Sequence, residues 1–96
     1  MGDRAGLVIK DTGLRESFVL HTHDMGHELL KLAQLWLREE RSPGEDCDTL
    51  AARFLMWLGR NCPDMEIDIR EKGCYDDCED HGVYCADMTD KVIILE

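Results

Sequence analysis

Cys74, Cys78, His81 and Cys85 place three thiols and one imidazole within twelve residues. Four such groups can surround zinc as a tetrahedron, and three cysteines with one histidine form an accepted structural zinc set. The spacing Cys-x3-Cys-x2-His-x3-Cys departs from the usual pair of ligands followed at a distance by a second pair. The stretch 74–90 also carries six acidic residues and no Lys or Arg. Carboxylates beside thiols oppose their deprotonation, although a bound cation reverses that sign. Two other readings stand beside zinc. In one the segment is a solvated loop whose Cys85 faces the core as a small hydrophobe, and in the other it holds a disulfide.

His21, His23 and His27 form a second cluster. In a strand residues 21 and 23 point to the same side, and 23 to 27 is one helical turn. A strand-to-helix junction can therefore gather all three, as in some hydrolytic metal sites, with Asp24 and Glu28 the nearest carboxylates in sequence. The alternative packs His21 in the sheet and leaves His23 and His27 in water. Nucleophilic catalysis finds little support: Ser17 and Ser42 have no evident base partner, and the acidity around a Cys78–His81 pair would weaken its thiolate. The chain has neither a Gly-x-Ser-x-Gly elbow nor a phosphate-cradling glycine loop. A non-enzymatic protein is expected.

The acidic residues are themselves a candidate site. Glu45, Asp46 and Asp48 fall in an inter-helix loop, while Asp76, Asp77, Glu79 and Asp80 precede the last hairpin. On one side of the molecule they would make a negative band suited to a Lys/Arg-lined groove, with Tyr75 and Tyr84 as amphipathic anchors. A scattered, solvated acidic surface is the plainer reading. An EF-hand is excluded, since the Asp-rich tract lacks that loop's register and its bidentate Glu.

Charge distribution favours the acidic reading. The net charge is −10 over 96 residues. Residues 1–42 hold six basic and seven acidic residues, net −1, whereas residues 43–96 hold five and fourteen, net −9. Direct nucleic-acid binding needs clustered Lys and Arg, so it is disfavoured; salt-sensitive association with a basic partner is favoured. No apolar run approaches the roughly 18 residues of a membrane span, and the N-terminus has no signal-like hydrophobic core. These features predict a single soluble domain, residues 1–96, in the cytoplasm, with reduced cysteines and no cofactor unless zinc is bound.

The elements that must position these residues follow from periodicity. Leu7-Val8-Ile9 and Ser17–His21 read as a hairpin across Asp11-Thr12-Gly13. Asp24 is a candidate N-cap for a helix from about Met25 to Glu40, with Met25, Leu29, Leu32, Ala33 and Trp36 on its apolar face and His27, Lys31, Gln34 and Arg38 on its wet one. Ser42-Pro43-Gly44 breaks that helix, and Asp46 or Asp48 caps a second, carrying Leu50, Phe54 and Trp57 or Leu58 inward. Gly59 suits a left-handed C-terminal position before Pro63. Met65–Arg70 alternates like a half-buried strand, and Gly82–Ala86 with Val92–Leu95 reads as a closing hairpin. The sum is an α+β, two-layer ββααβββ domain with an antiparallel sheet and two helices on one face.

Met1-Gly2-Asp3-Arg4-Ala5, Leu20-His21-Thr22-His23, Gly26-His27-Glu28-Leu29 and Leu50-Ala51-Ala52-Arg53 resemble a group of small proteins found in phages and bacterial mobile elements. The resemblance covers the N-terminal hairpin, both helices and the outline of the C-terminal hairpin. It implies an accessory protein acting on a host protein, and it carries over no catalytic residue. That group usually has an aromatic residue where this chain has Asp24 and is not associated with cysteines at 74, 78 and 85. The expected function is an acidic inhibitor that occupies the basic nucleic-acid-binding surface of a host defence complex, as anti-CRISPR proteins and DNA mimics do. The alternatives are a zinc-stabilised binding module on Cys74, Cys78, His81 and Cys85, and a small metal-dependent hydrolase on His21, His23 and His27.

Overall fold

A computed structural model describes residues 3–40, 44–75, 78 and 80–95. The elements run β1 (Ala5–Lys10), β2 (Val19–Thr22), α1 (Gly26–Glu39), α2 (Cys47–Asn61), β3 (Asp68–Arg70), β4 (Val83–Asp87) and β5 (Val92–Leu95). This is the expected α+β order. The five strands form one sheet in the order β3-β2-β1-β4-β5.

The sheet is mixed rather than wholly antiparallel. β1–β2, β2–β3 and β4–β5 are antiparallel, but β1 and β4 run parallel, with Val8 opposite Cys85. The cause lies in the connection. β3 and β4 both run with β1, so residues 71–82 must cross from one side of the sheet to the other, about the length a parallel connection requires. The cysteine-rich segment belongs to that crossover.

β1 is central and is buried on both faces, which explains why Leu7-Val8-Ile9 is continuously apolar instead of alternating. Leu7, Ile9, Leu20 and Ala86 meet Leu29, Ala33, Trp36, Leu50, Phe54 and Leu58 of the two helices in the main core. The opposite face holds a smaller cluster of Val8, Val19, Val83, Cys85 and Cys78, the last supplied by the crossover. Backbone bonds from His81 N–H to the Arg4 carbonyl and from Gly6 N–H to the Gly82 carbonyl, each 3.0 Å, anchor its end beside β1.

The α1 stripe is as expected, but its cap is not Asp24. Met25 occupies the N-cap position without a side-chain bond. The first N–H groups go elsewhere: Gly26 donates to the Asp3 carbonyl at 2.7 Å and His27 to the Asp3 carboxylate at 3.4 Å. The segment before β1 thus closes the helix end. α2 is capped by Asp46, which accepts from Thr49 N–H at 2.8 Å. Gly59 is interior to α2, not its terminator; the helix reaches Asn61, and Pro63 follows its cap residue Cys62.

The two glycines predict opposite outcomes. A Cβ on Gly26 would lie 2.6 Å from the Asp3 carbonyl oxygen and 2.9 Å from the Ala5 Cβ. Gly26→Ala should cost about 1–3 kcal/mol through this overpacking. Nothing lies within 4 Å of the corresponding position on Gly59, so Gly59→Ala should add about 0.5–1 kcal/mol through helix propensity. Urea denaturation of both variants checks the pair; equal effects would contradict the packing.

Candidate functional site

The acidic residues singled out by sequence occupy different places. Glu45 pairs with Arg53 through two short bonds of 2.6 and 2.7 Å, and the Arg53 guanidinium holds its carboxyl below the usual range. Asp46 is the α2 cap, and the Thr49 N–H lowers its pKa. Asp48 accepts from Phe18 N–H at 3.2 Å and lies 4.0 Å from Lys72. Asp80 accepts from the Arg4 side chain at 2.9 Å and from its backbone N–H at 3.1 Å, contacts that depress its pKa. Tyr75 donates its hydroxyl to Glu16 at 2.6 Å, and Tyr84 is half-buried against the main core. Asp76, Asp77 and Glu79 lie outside the described residues. Asp80, beside the start of β1, and residues 45–48 at the start of α2, beyond its end, are separated by a six-residue strand, roughly 20 Å. The described acidic residues of the two loops therefore do not share one band.

Nor do Cys74, Cys78, His81 and Cys85 gather as ligands. Cys78 and Cys85 are buried with valines on the second sheet face, Cys74 is half-exposed, and His81 makes a short contact with Asp3. The reason is packing: Cys78, supplied by the crossover, and Cys85 of β4 are spent on covering β1. The 2.9 Å approach of Cys78 Sγ to the place a Gly6 Cβ would take shows how tightly it sits. Cys47, at the start of α2, is also buried; burial and then Asp48 push its thiol up, so it is a poor nucleophile.

A different set does converge. His21 and His23 share one side of β2 and its exit, with ring centroids 4.6 Å apart in an edge arrangement. β3 pairs with β2 so that Asp68 stands opposite His21. Asp68 Oδ2 lies 3.8 Å from His21 Nδ1 and 3.3 Å from His23 Nε2. One ligand atom from each of the three lies within 4.8 Å of the others, and among the described residues this group alone does so. His27 does not join it: α1 turns its side chain to the exposed face.

Beside this group opens a cleft of about 200 Å³ between the start of α1 and the segment leading into β3. Asp24, Asp64, Glu66 and Asp68 line it with His23, and among the described residues no Lys or Arg does. Arg70 is the neighbouring cation, 3.8 Å from Asp68. Chemically the place suits a cation. The alternation in 65–70 marks Glu66 and Asp68 as co-facial, but nothing local says that Asp68 reaches His21, since that contact is made by strand pairing across 47 positions.

The fold and this cleft define an α+β domain with a cation-attracting edge. No protein-family model, curated protein or solved structure matches the chain. Among the described residues no helix is long and apolar enough to cross a membrane.

Proposed function

We propose that the protein is a non-enzymatic acidic interaction module that occupies a basic, nucleic-acid-binding surface of a host protein, in the manner of a phage anti-defence inhibitor. One observation carries the reading: a cleft lined by four carboxylates and, among the described residues, by no Lys or Arg, in a chain of net charge −10. Such a concave negative site accepts a Lys or Arg side chain, and the surrounding field speeds encounter with a positive partner. The proposed contact surface is therefore Asp24, Asp64, Glu66 and Asp68. Glu45, Asp46 and Asp80 already satisfy Arg53, the α2 terminus and Arg4. Asp76, Asp77 and Glu79 belong to the proposal through their charge alone.

The test is capture from nuclease-treated host lysate on immobilised protein, eluted by a salt gradient. The wild type should retain one nucleic-acid-binding complex that leaves at moderate salt, and Asp24→Asn/Asp64→Asn/Glu66→Gln should retain at least tenfold less. Equal recovery on the triple variant would remove the cleft from the mechanism. A second variant, Asp76→Asn/Asp77→Asn/Glu79→Gln, asks the same question of the crossover.

A further inference from the structure

We propose that His21, His23 and Asp68 bind a divalent transition-metal ion of the zinc class, with the open coordination position facing the acidic cleft. The donor set is two imidazoles and one carboxylate, a combination that suits zinc and its neighbours and is too nitrogen-rich for magnesium or calcium.

The geometry is close to what such an ion needs. Zinc holds nitrogen and oxygen ligands at about 2.0–2.2 Å, so tetrahedral donors stand about 3.3–3.5 Å apart. His23 Nε2 and Asp68 Oδ2 are 3.3 Å apart, and His21 Nδ1 is 3.8 Å from that same oxygen. Closing the remaining separations takes small rotations of His23 and Asp68, whose side chains are 53% and 57% exposed. His21 is wholly buried and serves as the fixed ligand. Its ring is held by β2, and register with β3 delivers Asp68 to it.

Electrostatics points the same way. Asp24, Asp64 and Glu66 surround the open side and raise the local concentration of a dication. The opposing group is Arg70, whose guanidinium is 3.8 Å from Asp68 Oδ2 and competes with the ion for that carboxylate. The ordinary competitor of the metal is the direct His23–Asp68 contact at the sheet edge. Three protein ligands and a fourth position open to solvent describe a reactive or exchangeable site, not a closed structural one.

The experiment is calorimetric titration of the chelator-treated full chain with ZnCl2, with MgCl2 and CaCl2 as controls, followed by Co2+ absorption. One zinc per chain is expected, with no comparable magnesium or calcium binding. The cobalt form should show d–d bands without a thiolate charge-transfer band. His23→Ala and Asp68→Asn, both at half-exposed positions, should each weaken zinc at least about 100-fold, beyond the 10–100-fold typical of outer-shell changes. His27→Ala and Cys74→Ser should leave it unchanged. Zinc binding that survives His23→Ala and Asp68→Asn, or that vanishes with Cys74→Ser and shows thiolate charge transfer, would overturn the site. So would the absence of stoichiometric zinc binding by the wild type. The titration contains no partner protein, so its outcome is independent of the lysate capture.

Discussion

Phe54→Ala is expected to lower stability by about 3–5 kcal/mol, the usual cost of emptying a buried aromatic site. Phe54 is wholly buried. Its ring lies 5.1 Å from that of Trp36 on α1 and 6.1 Å from that of Trp57 one turn along α2. It therefore joins both helices to the Leu7, Ile9 and Leu20 face of the sheet. A domain of this size has roughly 5–14 kcal/mol to lose, so the midpoint should fall by about 15–30 °C. Met56 offers the control. It is 63% exposed on the same helix, and Met56→Ala should change stability by less than about 0.5 kcal/mol. Thermal melts followed by circular dichroism report both; a Phe54→Ala protein melting within a few degrees of wild type would show that the core is not assembled around this ring.

Asp11→Ala should have the next largest effect, about 2–4 kcal/mol at pH 7. Asp11 follows the central strand and is 2% exposed. One carboxylate oxygen accepts from Arg15 N–H at 3.0 Å and the other from Cys47 N–H at 3.1 Å. The group thus closes the β1–β2 connection and ties it to the first residue of α2, 36 positions away. The Arg15 N–H, then the Cys47 N–H and the Arg15 guanidinium, hold its pKa below the ordinary 3.8 although burial opposes them. Because the folded value lies below the unfolded one, the stabilisation is complete above about pH 5 and is lost as pH falls through 4 toward the folded value. The difference between wild type and Asp11→Ala, from urea titrations at pH 7, 4 and 3, should shrink in that order. A difference independent of pH would assign the effect to packing and not to the carboxylate.

Helices were the most legible part of the chain. The stripe Leu29, Ala33, Trp36 and the wet face His27, Lys31, Gln34, Arg38 follow directly from a 3.6-residue period, and α1 buries and exposes them accordingly. The Asp46 cap and the Pro63 stop are equally local. What failed was local reasoning applied to a non-local solution. Asp24 is a good cap by type, but Asp3 arrives from before β1 and takes the helix N–H groups instead. Gly59 looks like a terminator, but continued hydrogen bonding carries α2 past it, with Cys62 N–H reaching the Leu58 carbonyl at 2.7 Å.

The candidate sites divide along the same line. His21 and His23 were visible as a pair because strand alternation puts residues two apart on one side. Their carboxylate was not, because Asp68 is supplied by β2–β3 register. Residue types and periods by themselves determined the class of the fold, the order of its elements, the faces of its helices and the negative field it carries. Tertiary structure alone decided that β4 runs parallel to β1, that Cys78 of the crossover packs on the second sheet face, and that an acidic cleft opens beside His23. Those outcomes depend on which strand edges meet. Pairing energy between distant segments settles that choice, and no window of neighbouring residues contains it.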